Sequence, residues 1–256
     1  YREKSRLLME YLRTFTKEIE QVSVDECYMD FTSIADRWNS PVDGALEIKD
    51  GIKGRFGFTV NIGISTNKLL AKMASDFQKP DRIHTLFPEE IKAKMWPLPI
   101  GELYMAGRSS VETLKKLEIN TIGDLAQADP ELIVLHLKSH GKMLWEFANG
   151  RGRDVVQAEP EEAKGIGNST TLRADAETEE EVYSVFEGLA QSVGRRLKKA
   201  GKKAGMVSVE IKYYDFRTVS HQMQIEKPSN DPKVLRETAY NLFLEVWSGE
   251  PVRLLG

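Results

Sequence analysis

The chain has 256 residues, 41% hydrophobic and 29% charged, with a formal net charge of −3, the make-up of an ordinary folded protein holding one large domain or two to three small ones. No apolar run approaches the ~20 residues of a membrane-spanning helix, and an amphipathic start is no signal peptide, so no membrane association is expected and the chain is read as cytoplasmic. A single cysteine, Cys27, excludes an internal disulfide and fits a reducing compartment. The net charge argues weakly against nucleic acid, but its distribution matters more: six cations gather in Arg195–Lys203, apart from acidic runs at 159–162 and 177–181.

Leu7, Leu8, Tyr11, Leu12 and Phe15 recur at spacings of three and four and predict an amphipathic helix over 4–16. Ile19, Val22 and Val24, then Cys27, Tyr28, Met29 and Phe31, flank Asp25 and Glu26, which predicts a β-hairpin over 19–32 with the two carboxylates at a two-residue tip. Asp-Glu is a poor choice for such a tip, where Asn-Gly or Asp-Gly supplies the positive φ angles, so something other than turn chemistry selects it. The alternative is a solvated acidic turn. Adjacent carboxylates repel unless a cation lies between them, and oxygen-only ligands suit Mg²⁺. Cys27 beside them reads as a small buried strand residue rather than a nucleophile.

A helix over 42–55 follows, with Val42, Ala45, Leu46, Ile48 and Ile52 inward, then a strand over 58–65. Ser65 or Thr66 is the expected cap of a helix running to about Phe77 with Leu69, Leu70, Met73 and Phe77 inward, and a last short strand covers 83–87. Lys68, Lys72 and Lys79 are read onto one face of this helix, either solvated or functional, with no role given to Lys68. From about Pro88 short helices take over, with Leu132, Val134, Leu135, Leu137, Leu144, Trp145 and Phe147 as their core. Residues 159–165 read as a polar tether. Beyond it come a strand at 168–172, a helix over 178–200, a strand over 206–214 paired with 222–225, a helix over 235–246 and a final strand at 251–256.

The stretch Ser23-Val24-Asp25-Glu26-Cys27-Tyr28-Met29-Asp30 resembles the carboxylate motif of the Y-family, or translesion, DNA polymerases. The stretch from Gly63 to Pro80, GISTNKLLAKMASDFQKP, resembles the family's next signature at the expected distance. The resemblance implies an α+β protein: a partial polymerase palm at 1–87 with a mostly antiparallel sheet, an all-helical thumb at 88–157, a linker at 158–166 and an α/β little finger domain at 167–256. It also implies that a first palm strand with a further Asp, the fingers and the end of the little finger are missing, so that the piece alone is expected to be inactive.

The implied reaction is error-prone, template-directed DNA synthesis by two-metal nucleotidyl transfer. Asp25 and Glu26 become ligands of two Mg²⁺ ions, and Lys79 becomes a ligand of the deoxynucleoside triphosphate. Lys72 is expected on the backbone of the primer-template DNA. Residues 100–111 and 114–125 resemble a helix-hairpin-helix, in which Ala106 and Gly107 meet a DNA phosphate; Met105 departs from the family's Gly-Ile-Gly tip, and a purely structural hairpin is the alternative. Thr170, Thr171, Arg217, Thr218 and Ser220 carry over as little-finger phosphate contacts, with ordinary exposed polar residues as the alternative. A sliding clamp is an expected partner through a tail beyond Gly256. A non-catalytic DNA-binding scaffold is the rival reading, and a nucleotide cyclase ranks below it because it needs neither thumb nor little finger.

Overall fold

Asp-Glu is a poor two-residue hairpin turn, and the chain makes a wider one. In the computed structural model, which describes residues 1–159 and 162–256, strands β1 (Ile19–Gln21) and β2 (Cys27–Met29) pair antiparallel, Ile19 opposite Met29 and Gln21 opposite Cys27. Residues 22–26 form the loop, and Val22 and Val24 are exposed rather than part of a strand. Ser23 organises this loop. Its hydroxyl accepts from the Asp25 and Glu26 N–H groups at 3.3 and 3.1 Å and donates to Asp25 Oδ1 at 2.6 Å. A side chain thereby does the work that positive φ angles do in tighter turns.

The chain divides into two compact units, Tyr1–Pro160 and Glu161–Gly256; the expected linker and the first acidic run include Pro160 and Glu161, which lie outside the described residues. In the first unit, helix α1 (Arg2–Leu12) and helix α2 (Pro41–Phe56) bury Leu8, Met9, Leu12, Ile48 and Ile52 against Ile19 of the hairpin. Ser40 caps α2 by accepting from the Asp43 N–H, and Gly57, at φ 75°, ends it. Val42 and Leu46 turn outward, so the buried stripe of α2 is narrower than its apolar pattern suggested.

Strand β3 (Ile62–Ile64) leads into helix α3 (Lys68–Asp76), which returns the chain to strand β4 (Ile83–Thr85). β3 and β4 pair in parallel, because the intervening helix carries the chain back to the same end of the sheet. The first unit thus has two separate two-stranded sheets, one antiparallel and one parallel. The cap of α3 is Asn67 rather than Ser65 or Thr66: its Oδ1 accepts from the Leu70 N–H at 2.9 Å, while its amide donates to Gly150 O at 3.0 Å. Gly63 is required by close approach, since a Cβ there would fall onto the Ala71 carbonyl and within 2.6 Å of Ser75 N.

Leu69, Leu70 and Met73 of α3 share one core with Leu86 and with residues of helices α4 (Arg108–Lys116), α5 (Ile122–Gln127) and α6 (Pro130–Ala148). The buried face of α6 is Ile133, Gly141, Leu144 and Ala148. Leu132, Val134 and Leu135 lie outside it, Leu135 being 76% exposed. In that turn Ile133 is the residue that faces the core, and the helix breaks further on, at Lys138 (φ 55°, ψ −140°).

The second unit is a four-stranded antiparallel sheet in the order β5-β8-β6-β7, built from β5 (Thr170–Ala176), β6 (Ala204–Tyr213), β7 (Thr218–Ser229) and β8 (Val252–Leu255). Helices α7 (Glu179–Lys199) and α8 (Pro232–Val246) cover one face, packing Val182, Phe186, Leu242 and Phe243 on Val209, Ile211, Tyr213 and Leu255. Thr178 and Glu181 form a capping box at the start of α7. Among the described residues of this unit, no helix lies on the other face of the sheet.

Candidate active site

The Ser23 loop sets Asp25 and Glu26 side by side and exposed. The two carboxylates are then treated differently. Asp25 is held by the Ser23 hydroxyl. Glu26 Oε1 accepts from Lys72 Nζ of α3 at 2.6 Å. Lys72 also lies 3.3 Å from Asp76, and Asp76 in turn lies 2.7 Å from Lys79, so Glu26, Lys72, Asp76 and Lys79 form a row of alternating charge. Burial pulls the Lys72 ammonium down, but the Glu26 hydrogen bond and the charges of Asp76 and Glu26 outweigh it and hold the group above its ordinary range. Burial likewise raises the Asp76 carboxyl, and the Lys79 hydrogen bond and Lys72 charge overcome it and hold it low.

Lys79 does not continue the helical face read from the sequence. α3 ends at Asp76 with Phe77 as its cap residue, and Lys79 reaches Asp76 from the following loop, beside a cis Lys79–Pro80 bond. Lys68, given no role by the sequence, is a tie: its side chain is 13% exposed, and its ammonium pairs with Glu20 at 2.7 Å and lies 5.7 Å from the Tyr28 ring centre. Glu20 also accepts from the Gln157 N–H at 2.8 Å. Behind the loop, burial and the neighbouring Tyr104 push the Tyr28 phenol up to about 12, and burial raises the Cys27 thiol to about 11, against its acting as a thiolate nucleophile.

Ala106 and Gly107 lie where α4 begins. Their N–H groups are already engaged, with Leu103 O at 2.9 Å and Met105 O at 3.0 Å. Met105 turns the chain in the left-handed region at φ 68°, the conformation a glycine adopts without cost. Gly107, the N-cap, offers no side chain, so the first turn of α4 starts without a side-chain cap.

In the second unit, pairing places Thr171, Leu254, Lys212 and Thr218 in one row across the helix-free face, with Glu210 and Ser220 in the row beside it. Thr170 points to the opposite face from Thr171. Arg217 stacks on Tyr213 with its guanidinium 4.6 Å from the ring centre and pairs with Glu250 and Asp215, so it is held within the unit rather than extended. Lys212 is a cation the sequence reading passed over. The alternation of buried Val209, Ile211 and Tyr213 with Ser208, Glu210 and Lys212 already placed it on this face.

Oxygen donors alone, adjacent and accessible, fit a hard divalent cation at Asp25 and Glu26; among the described residues no group of three or more His, Cys, Asp or Glu side chains is set to hold a metal. No helix among them is long and apolar enough to cross a membrane.

The architecture matches that of Y-family polymerases. A Y-family DNA polymerase chimera of Dbh and Dpo4 superposes with a TM-score of 0.83 at 23% identity, covering 100% of this chain and 74% of the other. The insertion ternary complex of Dbh DNA polymerase gives 0.62 at 23% identity, with the same coverage. The sequence profile of the impB/mucB/samB family matches residues 1–76, and that of the family's C-terminal domain matches residues 163–256. The chain belongs to this family, whose two profiles together span more than half of it. It is 44% identical to DNA polymerase IV of Clostridium acetobutylicum and 38% identical to DNA polymerase IV 1 of Bacillus subtilis, in each case over 100% of this chain. It spans 64% and 62% of the length of those relatives.

Proposed function

We propose that this chain is the palm (1–87), thumb (88–157), linker (158–166) and little finger (167–256) of a cytoplasmic, error-prone DNA polymerase of the translesion type. The observation that carries this reading is the Asp25–Glu26 loop set against the Lys72, Asp76 and Lys79 row. Asp25 and Glu26 are the residues to hold divalent cations, Mg²⁺ by the hardness of their oxygens. Such ions, when bound, stabilise charge on the attacking and leaving oxygens of a phosphoryl transfer.

The chain's own groups account for the rest. Ser23 fixes the loop that carries the carboxylate pair before substrate arrives. Lys79, more than half exposed, exchanges Asp76 for the triphosphate and offsets negative charge on the departing pyrophosphate. Lys72 faces the primer backbone. The start of α4 accepts a DNA phosphate, and the Thr171, Lys212, Thr218 and Ser220 face holds backbone without reading bases. A sliding clamp is the proposed further partner of the whole protein.

Primer extension by the full-length protein with Mg²⁺, on damaged and undamaged templates, tests this. Extension that Asp25→Ala abolishes while primer-template binding persists is the expected result. Bound DNA with no extension by the unaltered protein overturns the polymerase reading in favour of a DNA-binding scaffold.

A further inference from the structure

Glu26 meets its nearest cation in Lys72, and that cation has a second place to go. The ammonium lies 2.6 Å from Glu26 and 3.3 Å from Asp76, one helical turn along α3. Asp76 is occupied on its other oxygen by Lys79 at 2.7 Å. Of the three side chains Glu26, Lys72 and Lys79, only Lys72 is largely covered, at 17% exposed against 49% and 55%. The covered cation is therefore the one shared between two carboxylates, and the exposed one is free to leave for a ligand.

We propose that Lys72 is a built-in counter-ion that competes with a divalent cation for Glu26, and that Asp76 is its alternative partner, made available when Lys79 leaves to bind phosphate. This deepens the assignment of Asp25 and Glu26 as cation ligands and rests on it. A cation arriving at Glu26 displaces Lys72 toward Asp76, whose pull on Lys72 is weakest while Lys79 shares its charge. Withdrawal of Lys79 by a phosphate leaves Asp76 to hold Lys72 alone and uncovers Glu26. Phosphate binding and cation binding then favour each other, and by linkage the effect is equal in both directions. Asp25, held by a neutral hydroxyl, needs no such displacement.

The test is Mn²⁺ binding to the 256-residue chain, read from the loss of the free-ion electron paramagnetic resonance signal, with circular dichroism to show that each variant is folded. Lys72→Met is expected to tighten binding several-fold, Lys79→Met to tighten it less, and Asp76→Asn to weaken it. Simple Coulomb effects share those signs, so the deciding measurement is the double variant. Lys79→Met is expected to change nothing further once Lys72 is Met, whereas independent long-range effects add. Additive changes, or Mn²⁺ affinity unaltered by Lys72→Met, overturn the proposal. Glu26→Gln separates the two levels: lost binding in this variant keeps the cation site whatever Lys72 does, and unaltered binding overturns the site itself and the competition with it.

Discussion

Glu20 and Lys68, 48 residues apart in sequence, meet at 2.7 Å across the hairpin and the start of α3, and Glu20 also accepts from the Gln157 N–H. One carboxylate thus ties β1, α3 and the segment that follows α6. Burial raises its pKa, and the Gln157 N–H and the Lys68 ammonium more than reverse this, so it is lowered overall. A carboxylate with a depressed folded pKa stabilises above its unfolded value of about 4.5 and loses that contribution as pH falls through the folded value. Glu20→Gln is expected to cost about 1–2 kcal/mol at pH 7 by leaving the largely covered Lys68 ammonium without its charged partner. Urea unfolding at pH 7 and at pH 3.5 checks this, the gap between variant and parent shrinking at the lower pH.

Gly63 faces the α3 backbone so closely that a methyl group there meets the Ala71 carbonyl and Ser75 N. Both obstacles are main chain and cannot rotate aside. Gly63→Ala is therefore expected to destabilise the first unit by about 3 kcal/mol or more. Thermal unfolding measures it, and a change under 1 kcal/mol would show that β3 and α3 part easily.

Met105 holds a left-handed conformation at φ 68° and is more than half exposed, so its side chain contributes little packing to set against the backbone strain. Relief of about 1–2 kcal/mol is partly offset by glycine's greater freedom in the unfolded chain. Met105→Gly is expected to stabilise the protein by up to about 1 kcal/mol, seen as a higher urea midpoint with unchanged slope.

Lys212 is the cation in the row of Thr171 and Thr218. If that face holds DNA backbone, Lys212→Ala weakens binding to the same degree for every sequence and lowers the slope of log affinity against log salt by about 0.9. Fluorescence anisotropy with duplexes of different sequence at several KCl concentrations gives both. A slope equal to that of the parent assigns the DNA elsewhere.

The elements of the second unit were legible because its strands alternate cleanly and its helices carry long apolar stripes, as in Val209, Ile211 and Tyr213 or Val182, Phe186 and Leu189. The hairpin around Asp25 and Glu26 was legible too, yet its turn was read three residues too short, since a hydroxyl three positions away replaces the glycine geometry that the sequence lacks. α6 was misread on its exposed side because Leu132, Ile133, Val134 and Leu135 are four adjacent apolar residues of which only Ile133 is buried, and apolar character alone does not say which of them faces the core.

The sequence alone determined which residues carry charge and where strands, helices and the carboxylate pair fall, because those follow from local pattern and from motif. It could not say which cation faces which anion. Lys68, Lys72 and Lys79 look equivalent as a string, and only the fold makes the first a tie to Glu20, the second the partner of Glu26 and the third a loop residue on Asp76. The first two contacts join residues 48 and 46 apart in the chain at less than 3 Å, a proximity that tertiary packing alone sets, and the third is local, decided by where α3 ends.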